Sequence, residues 1–511
     1  MDLMAVIKKD DAKSVLIMWG HSDGNSAHLE CIKDSVTIPD IDTEPLVFDY
    51  NGDSISDLLT VDKDGNRTVF IFSKERPKYD THLLKSPETG KLKAEHGNAF
   101  VDVTGDGAAD LVLTSLLGLE IYRADPDAAA GAERFPYLCT VAWPELPDCD
   151  ADQCVGQPVF LDFALSGSLD LVLPVCGDPL CADSRLYLVP VTNISACPAS
   201  WAWEPMSLEL GSKRFLPRAP ATSPLRLMTP RVGDVDLDGF PDLLMTVYNN
   251  SGDATKGGEV QLLLNVACGS MTGCHPNWRQ FQLEAAYTAG VGTAVTGAFF
   301  DLYEDGKMDL IVINQDQEDK HSYHVSAYVN TTQDSDAYFM KVIVLTGACY
   351  HDCPAHDSAY VPYGTNSGGQ LVSYRSQRPG PETFDSYQSV AVQLPQTSHF
   401  ALGLPYTIFG LGMAPNFVDY LSVNITRKTQ SWPQIIPNSQ LYVIPYPPEE
   451  PTGWDLKLMI TTSKNIVVTG LAMVGTCALC SVIIVMLHIR ERRLDRQAKL
   501  QDMKGFHFDA M

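Results

Sequence analysis

The 511-residue chain carries 37 basic and 63 acidic residues, a formal charge of −26, and 45% of it is apolar. That apolar share excludes global disorder, and the charge excludes the basic footprint that nucleic-acid binding needs. Two to four domains are expected from the length, and the acidity suits a cation-binding or extracellular protein.

The chain opens MDLMAVIKKDDAKSVLIMWG, with no basic leader, no adequate apolar run and no small-residue cleavage site. Five related segments follow: VFDYNGDSISDLL from Val47, FVDVTGDGAADLV from Phe100, FLDFALSGSLDLV from Phe160, VGDVDLDGFPDLL from Val232 and FFDLYEDGKMDLI from Phe299. Their loops begin at Asp49, Asp102, Asp162, Asp234 and Asp301, at intervals of 53, 60, 72 and 67 residues. Recurrence on this scale marks a repeat architecture.

Each loop places oxygen-bearing residues at positions 1, 3, 5 and 9. The fourth is the cleanest, with Asp234, Asp236, Asp238 and Asp242 and with Gly239 at position 6 for the sharp bend. Calcium takes six to eight oxygens at roughly 2.3–2.6 Å, several from carboxylates, and the position-7 carbonyl would add one. The other expected calcium ligands are Asp49, Asn51, Asp53 and Asp57; Asp102, Thr104, Asp106 and Asp110; and Asp301, Tyr303, Asp305 and Asp309. Tyr303 offers only its carbonyl or a water, and Ser54 makes the first turn less ideal. In the third loop Ala164 and Ser166 replace inner ligands, so Asp162 and Asp170 read as a structural turn without metal. An EF-hand is excluded because position 12 of the fourth loop is Met245. Short apolar runs flank the loops, such as Leu243 to Val247, and read as buried strands. Strand–loop–strand units of about 60 residues fit the blades of a β-propeller, which assigns residues 1–335.

Residues 336–455 alternate apolar and polar positions, broken by Gly and Pro, and predict a small β-sandwich-like module. A juxtamembrane linker is expected at 456–465. The run from Ile466 to Ile489 is uncharged apart from His488 and long enough, at 1.5 Å per residue, to span a bilayer. Basic residues Arg490, Arg492, Arg493, Arg496 and Lys499 follow it, so the positive-inside rule makes 490–511 a cytoplasmic tail and places the rest outside. Five sequons, at Asn66, Asn193, Asn249, Asn330 and Asn424, all fall on that outer side and predict N-glycosylation.

Eleven of the 13 cysteines lie outside the membrane run, and the close pairs Cys176/Cys181, Cys268/Cys274 and Cys349/Cys353 read as local disulfide staples. Cys477 and Cys480, within the run, read as small apolar side chains. The cluster Cys349, His351, Cys353 and His356 carries zinc-compatible residue types, but an oxidising compartment favours a disulfide beside two exposed histidines. No nucleophile elbow, zinc-protease helix motif or phosphate loop is present, so no catalytic residue and no small-molecule substrate are assigned.

The repeat resembles the FG-GAP calcium repeat of integrin α-chain propellers. The chain departs from integrins in having no inserted domain, no long leg and no GFFKR juxtamembrane motif. It more closely resembles the T-cell immunomodulatory protein, or Linkin, family along essentially its whole length. DAYFMKVIVL from Asp336, IPNSQLYVIPY from Ile436 and FHFDAM from Phe506 carry that resemblance. What it implies is an all-β, seven-bladed propeller in a type I plasma-membrane glycoprotein of cell adhesion and immune modulation. A protein ligand or receptor would bind at the propeller face, with calcium as the cofactor. The alternatives are an ectodomain hydrolase of the phospholipase type and a glycoprotein of secretory trafficking. Because Asp2 falls where a position-9 aspartate belongs, the chain is expected to begin inside a loop, with a signal peptide and one to two blades upstream.

Overall fold

In the computed structural model each aspartate loop is the connection of an antiparallel hairpin. The structure describes residues 3–504 other than 10–11, 23–26, 31–34, 74–77, 86–90, 94–96, 130–131, 147, 192–202, 207, 209, 216–227, 250–257, 269–278, 317, 320–321, 332–336, 349–361, 380–383, 395–402, 414–416 and 460–463. Asp2, whose register carried the expectation of a missing front, lies outside them.

The first sheet holds β1 (Leu3–Lys9), β2 (Ala12–Ser22), β3 (Ala27–Glu30) and β4 (Val36–Ile41). The second holds β5 (Leu46–Phe48), β6 (Asp57–Val61), β7 (Arg67–Phe72) and β8 (Tyr79–Leu83) in chain order. The third is formed in the same way by β9 (Ala99–Val101), β10 (Asp110–Thr114), β11 (Gly118–Tyr122) and β12 (Tyr137–Ala142). After helix α1 (Ala151–Cys154), the fourth repeats the pattern with β13 (Val159–Leu161), β14 (Asp170–Cys176), β15 (Ser184–Pro190) and β16 (Glu204–Met206). The fifth has seven strands: β17 (Lys213–Arg214), β18 (Arg231–Gly233), β19 (Asp242–Asn249), β20 (Gly258–Ala267), β21 (Arg279–Phe300), β22 (Asp309–Gln315) and β23 (Tyr323–Tyr328).

The loop motif fixes strand register. The last residue before position 1 pairs with the position-9 aspartate: Phe48 with Asp57, Val101 with Asp110, Leu161 with Asp170, Gly233 with Asp242 and Phe300 with Asp309. In the first four repeats the residues after position 9 then run inward with both faces covered, whereas Leu310 and Ile311 of the fifth stay half-buried. Leu58, Leu111, Leu171 and Leu243 are no more than 2% exposed. Removing such side chains from water is worth roughly 1.5–3 kcal/mol each, so these four repeats place a leucine where burial is nearly complete.

Successive sheets share one core after another. Val15 and Ile38 pack with Leu58 and Phe72; Phe48 and Val69 with Phe100 and Leu111; Val101 and Ile121 with Phe160 and Leu173; Phe163 and Leu188 with Met245 and Leu263. The fold is therefore all-β, as expected. Seven blades closed in a ring are not seen among the described residues. The last two hairpin units instead merge, because the 22-residue β21 pairs with β20 through its first half and with β22 through its second.

The next eight strands form two four-stranded sheets around Val342, Val372, Leu421 and Leu441. They are β24 (Tyr338–Val344), β25 (Gln370–Pro379), β26 (Phe384–Gln393), β27 (Thr407–Gly412), β28 (Val418–Ile425), β29 (Lys428–Ile435), β30 (Ser439–Ile444) and β31 (Asp455–Met459). The orders are β27-β24-β30-β31 and β26-β25-β28-β29. The expected linker at 456–465 thus begins as a strand: Leu456, partly buried, packs on the sandwich core, and the segment pairs with β30.

Residues 460–511 form a separate unit. Its helix α2 (Lys464–Lys504) holds the one described segment long and apolar enough to cross a membrane, which fits a single-pass membrane protein. The helix runs past Ile489 through the basic flank, because Arg, Leu, Gln, Ala and Lys are all good helix formers and no Gly or Pro intervenes.

Candidate metal centre

Each loop is folded by its own aspartates. At position 9, Asp57, Asp110, Asp170, Asp242 and Asp309 accept the position-2 amides of Tyr50, Val103, Phe163, Val235 and Leu302 at 2.8–3.1 Å. In four loops the other oxygen accepts an amide from beyond the following strand: Phe72, Ala124, Asn265 or Asn330, at 2.7–2.9 Å. At position 1, Asp49, Asp102, Asp162, Asp234 and Asp301 accept the position-6 amide at 2.8–3.2 Å. Position 6 is left-handed in every loop, at φ +67° for Ser54 and +79° to +96° for Gly107, Gly167, Gly239 and Gly306. This conformation explains the glycine in the motif.

The loops differ in what remains once these bonds are made. In the fourth, carboxylate oxygens of Asp234, Asp236 and Asp242 lie within 4.8 Å of one another, the one such group among the described residues. Asp234 is 4% exposed, and its Oδ1 has no hydrogen-bond partner. Burial, then the neighbouring carboxylates, pushes the Asp234 carboxyl well above its ordinary range; burial does the same for Asp242, with Asp236 and Asp238 adding to it. A buried oxygen without a donor, among converging negative charges, is a donor set that calcium fits. Asp238 stands outside the group, 3.7 Å from the Arg279 guanidinium, which itself lies 3.2 Å over the Phe240 ring.

In the first loop, burial raises Asp49 to about 6 and Asp57 to about 8, while Asn51 Nδ2 donates to Asp53 at 2.9 Å. This loop borders a cavity of about 350 Å³ lined also by Lys428 and Trp454. In the second, Thr104 is buried and burial lifts Asp110 to about 7. Burial also acts upward on Asp106, but hydrogen bonds from Arg123 and Arg427, at 2.9 and 2.8 Å, hold it below its usual value. In the third, Ser166 Oγ bonds Ser168, and burial raises Asp162 to about 6 and Asp170 to about 7. In the fifth, Asp305 caps Lys307 and Tyr303 is 59% exposed.

The sandwich rests on these loops. Arg427 N–H donates to Gly107 O at 2.6 Å, and Gln388 Nε2 to Ser166 O at 2.6 Å. Gly410 N–H donates to Asp234 Oδ2 at 3.0 Å, Gly412 N–H to Leu237 O at 2.8 Å, and Gln440 Nε2 to Glu304 O at 2.9 Å. The second to fifth loops are bonded in this way. Sequence reasoning missed the contact face, since nothing in a local pattern pairs residues up to 321 positions apart.

Among the sequons, Asn66 is exposed and bonds Asp62, Asn330 Nδ2 donates to Val235 O at 3.1 Å, and Asn424 packs against Gly107. Asn193, the Asn249 side chain and the Cys349–His356 cluster lie outside the described residues. The Cys176–Cys181 disulfide is present, and so is Cys149–Cys154, which spacing alone did not single out.

A family profile for the C2 domain of ITFG1 matches residues 362–459. The T-cell immunomodulatory protein of Homo sapiens is 32% identical over 538 residues, covering 100% of this chain and 81% of that protein. Protein linkin of Caenorhabditis elegans is 27% identical over 491 residues, covering 91% and 76%. Among solved structures, BBS1N in complex with ARL6DN is 11% identical with a TM-score of 0.30, covering 77% of this chain and 92% of that one, a likeness too low to bear on the fold.

Proposed function

The chain belongs to the T-cell immunomodulatory protein family, and from that premise we propose that it is a cell-surface glycoprotein that binds another protein through a calcium-stiffened, propeller-type ectodomain. The ectodomain faces outward and the basic end of α2 lies in the cytoplasm, a reading supported by the charge asymmetry about the apolar helix. The stacked hairpin sheets act as FG-GAP blades; immune modulation is the role the relatives' names suggest, and adhesion is the role the resemblance to integrin-type repeats suggests.

One observation carries the calcium reading: the buried, partnerless Oδ1 of Asp234 beside Asp236 and Asp242. Asp234, Asp236 and Asp242 would hold the ion, which would supply charge neutralisation and rigidity. The protein is proposed to bind and not to catalyse. Its position-9 carboxylates are turned onto backbone amides that shape the loops, which leaves them poorly placed for proton transfer to a substrate.

Labelling intact cells with a membrane-impermeant biotin reagent tests the reading. Labelled chain and calcium-dependent clustering of the expressing cells are expected. Labelling only after permeabilisation would contradict a surface role and favour secretory trafficking.

A further inference from the structure

The fourth and fifth loops share a backbone but differ in what the sandwich presents to their first aspartate. At the fourth it presents the neutral amide of Gly410, and Asp234 Oδ1 is left without a donor. At the fifth it presents a charge. Lys341, on β24, donates from Nζ to Asp301 Oδ2 at 2.9 Å, with the two side chains 4% and 0% exposed. The ammonium also lies 4.1 Å from the centre of the Tyr406 ring, whose hydroxyl accepts the Asp301 amide at 2.9 Å. Asp301 Oδ1 takes the Asp305 amide at 3.0 Å, and Oδ2 takes Gly306 at 3.2 Å as well as Lys341. Asp309 is occupied by Leu302 and Asn330, and position 3 is Tyr303, with no carboxylate to add.

We propose that Lys341 is the resident cation of the fifth loop: the sandwich neutralises Asp301 in place of a metal ion, and the loop serves as a latch between sandwich and hairpin stack. Calcium entering here would have to expel an ammonium that is only 4% exposed and lies against the Tyr406 ring. A buried charge stripped of its partner is strongly unfavourable. The cation–π contact and the carboxylate together hold it in place. The motif therefore has two uses in one chain, a metal site where the sandwich offers a glycine and an ion-pair latch where it offers a lysine.

The inference deepens the calcium reading of the fourth loop, so the test separates the two. Bound calcium is measured by equilibrium dialysis on the full chain in detergent micelles, for wild type, Asp301→Asn and Asp234→Asn. In parallel, Lys341→Met, Asp301→Asn and their combination form a double-mutant cycle read by melting temperature, in calcium and in chelator. Lys341→Gln serves if Lys341→Met does not accumulate. Asp301→Asn should keep the wild-type calcium count. Lys341→Met should lower the melting temperature less in the Asp301→Asn background, with the same coupling in both media. Loss of one calcium equivalent in Asp301→Asn, or a coupling that is absent or present only in chelator, would overturn the latch. If Asp234→Asn also keeps the wild-type count, the calcium reading of the fourth loop fails, and the cycle still judges Lys341.

Discussion

Replacing Asp170 by Asn should stabilise the protein at alkaline pH and leave it unchanged in acid. Asp170 is 5% exposed, and burial, with the nearby Asp162 charge adding to it, lifts its carboxyl from 3.8 to about 7; the Phe163 amide opposes the shift. Below the unfolded value both states carry the proton and there is no penalty. As pH rises from there to about 7, the unfolded chain ionises while the folded chain keeps its proton, so stability falls by about 1.4 kcal/mol per pH unit. The shift of roughly three units corresponds to about 4 kcal/mol as an upper bound once the group is charged in both states. Asparagine keeps an acceptor for the Phe163 amide and cannot ionise. Thermal melts of wild type and variant from pH 4 to 8, all in chelator, isolate the effect of Asp170 together with its coupling to Asp162, because the carboxylates that do not touch this pair cancel in the difference. At about 2–4 °C per kcal/mol, the gap should open from near zero in acid to as much as about 16 °C at pH 8. Parallel curves with a constant offset would show that Asp170 does not titrate with a raised pKa in the folded protein.

Three further outcomes are expected. Arg67 and Glu120 pair at 2.6 Å with both side chains 1% exposed, joining the second and third sheets. Arg67→Met should therefore cost roughly 3–5 kcal/mol, and Glu120→Leu added to it should recover most of the loss, read from denaturant midpoints. A Cβ on Gly410 would lie 2.1 Å from Asp234 Oδ2 and 2.5 Å from the Leu237 backbone; Gly410→Ala should destabilise by about 1–3 kcal/mol and weaken calcium binding in titrations. Chelation should lower the wild-type melting temperature by a few degrees, since a site held at ten times its Kd adds about 1.4 kcal/mol; calorimetric scans with and without chelator check this.

What the sequence made legible is what the loop encodes locally. Gly239 at position 6 predicted a sharp bend, and the left-handed backbone there supplies it. The apolar run from Leu243 predicted a buried strand, and β19 is one. Position 4 escaped notice, because Leu165, Leu237 and Glu304 adopt positive φ there without being glycine. Lys341 was legible only as a polar residue within an alternating strand. Its partner is 40 residues away and is set by how the sandwich seats on the loops. The motif showed one difference between the fourth and fifth loops, Tyr303 in place of an aspartate like Asp236, but hid the other, which is made by Gly410 and Lys341, outside the motif.

The function proposed for the ectodomain turns on whether the fourth loop holds calcium. Isothermal titration of the full chain, stripped of divalent ions in detergent micelles, tests it most directly against the Asp234→Asn variant. The wild type should give a calcium isotherm with a Kd of roughly 10⁻⁴–10⁻³ M, and Asp234→Asn should lose one equivalent. Superimposable isotherms for the two proteins would contradict a calcium site in the fourth loop.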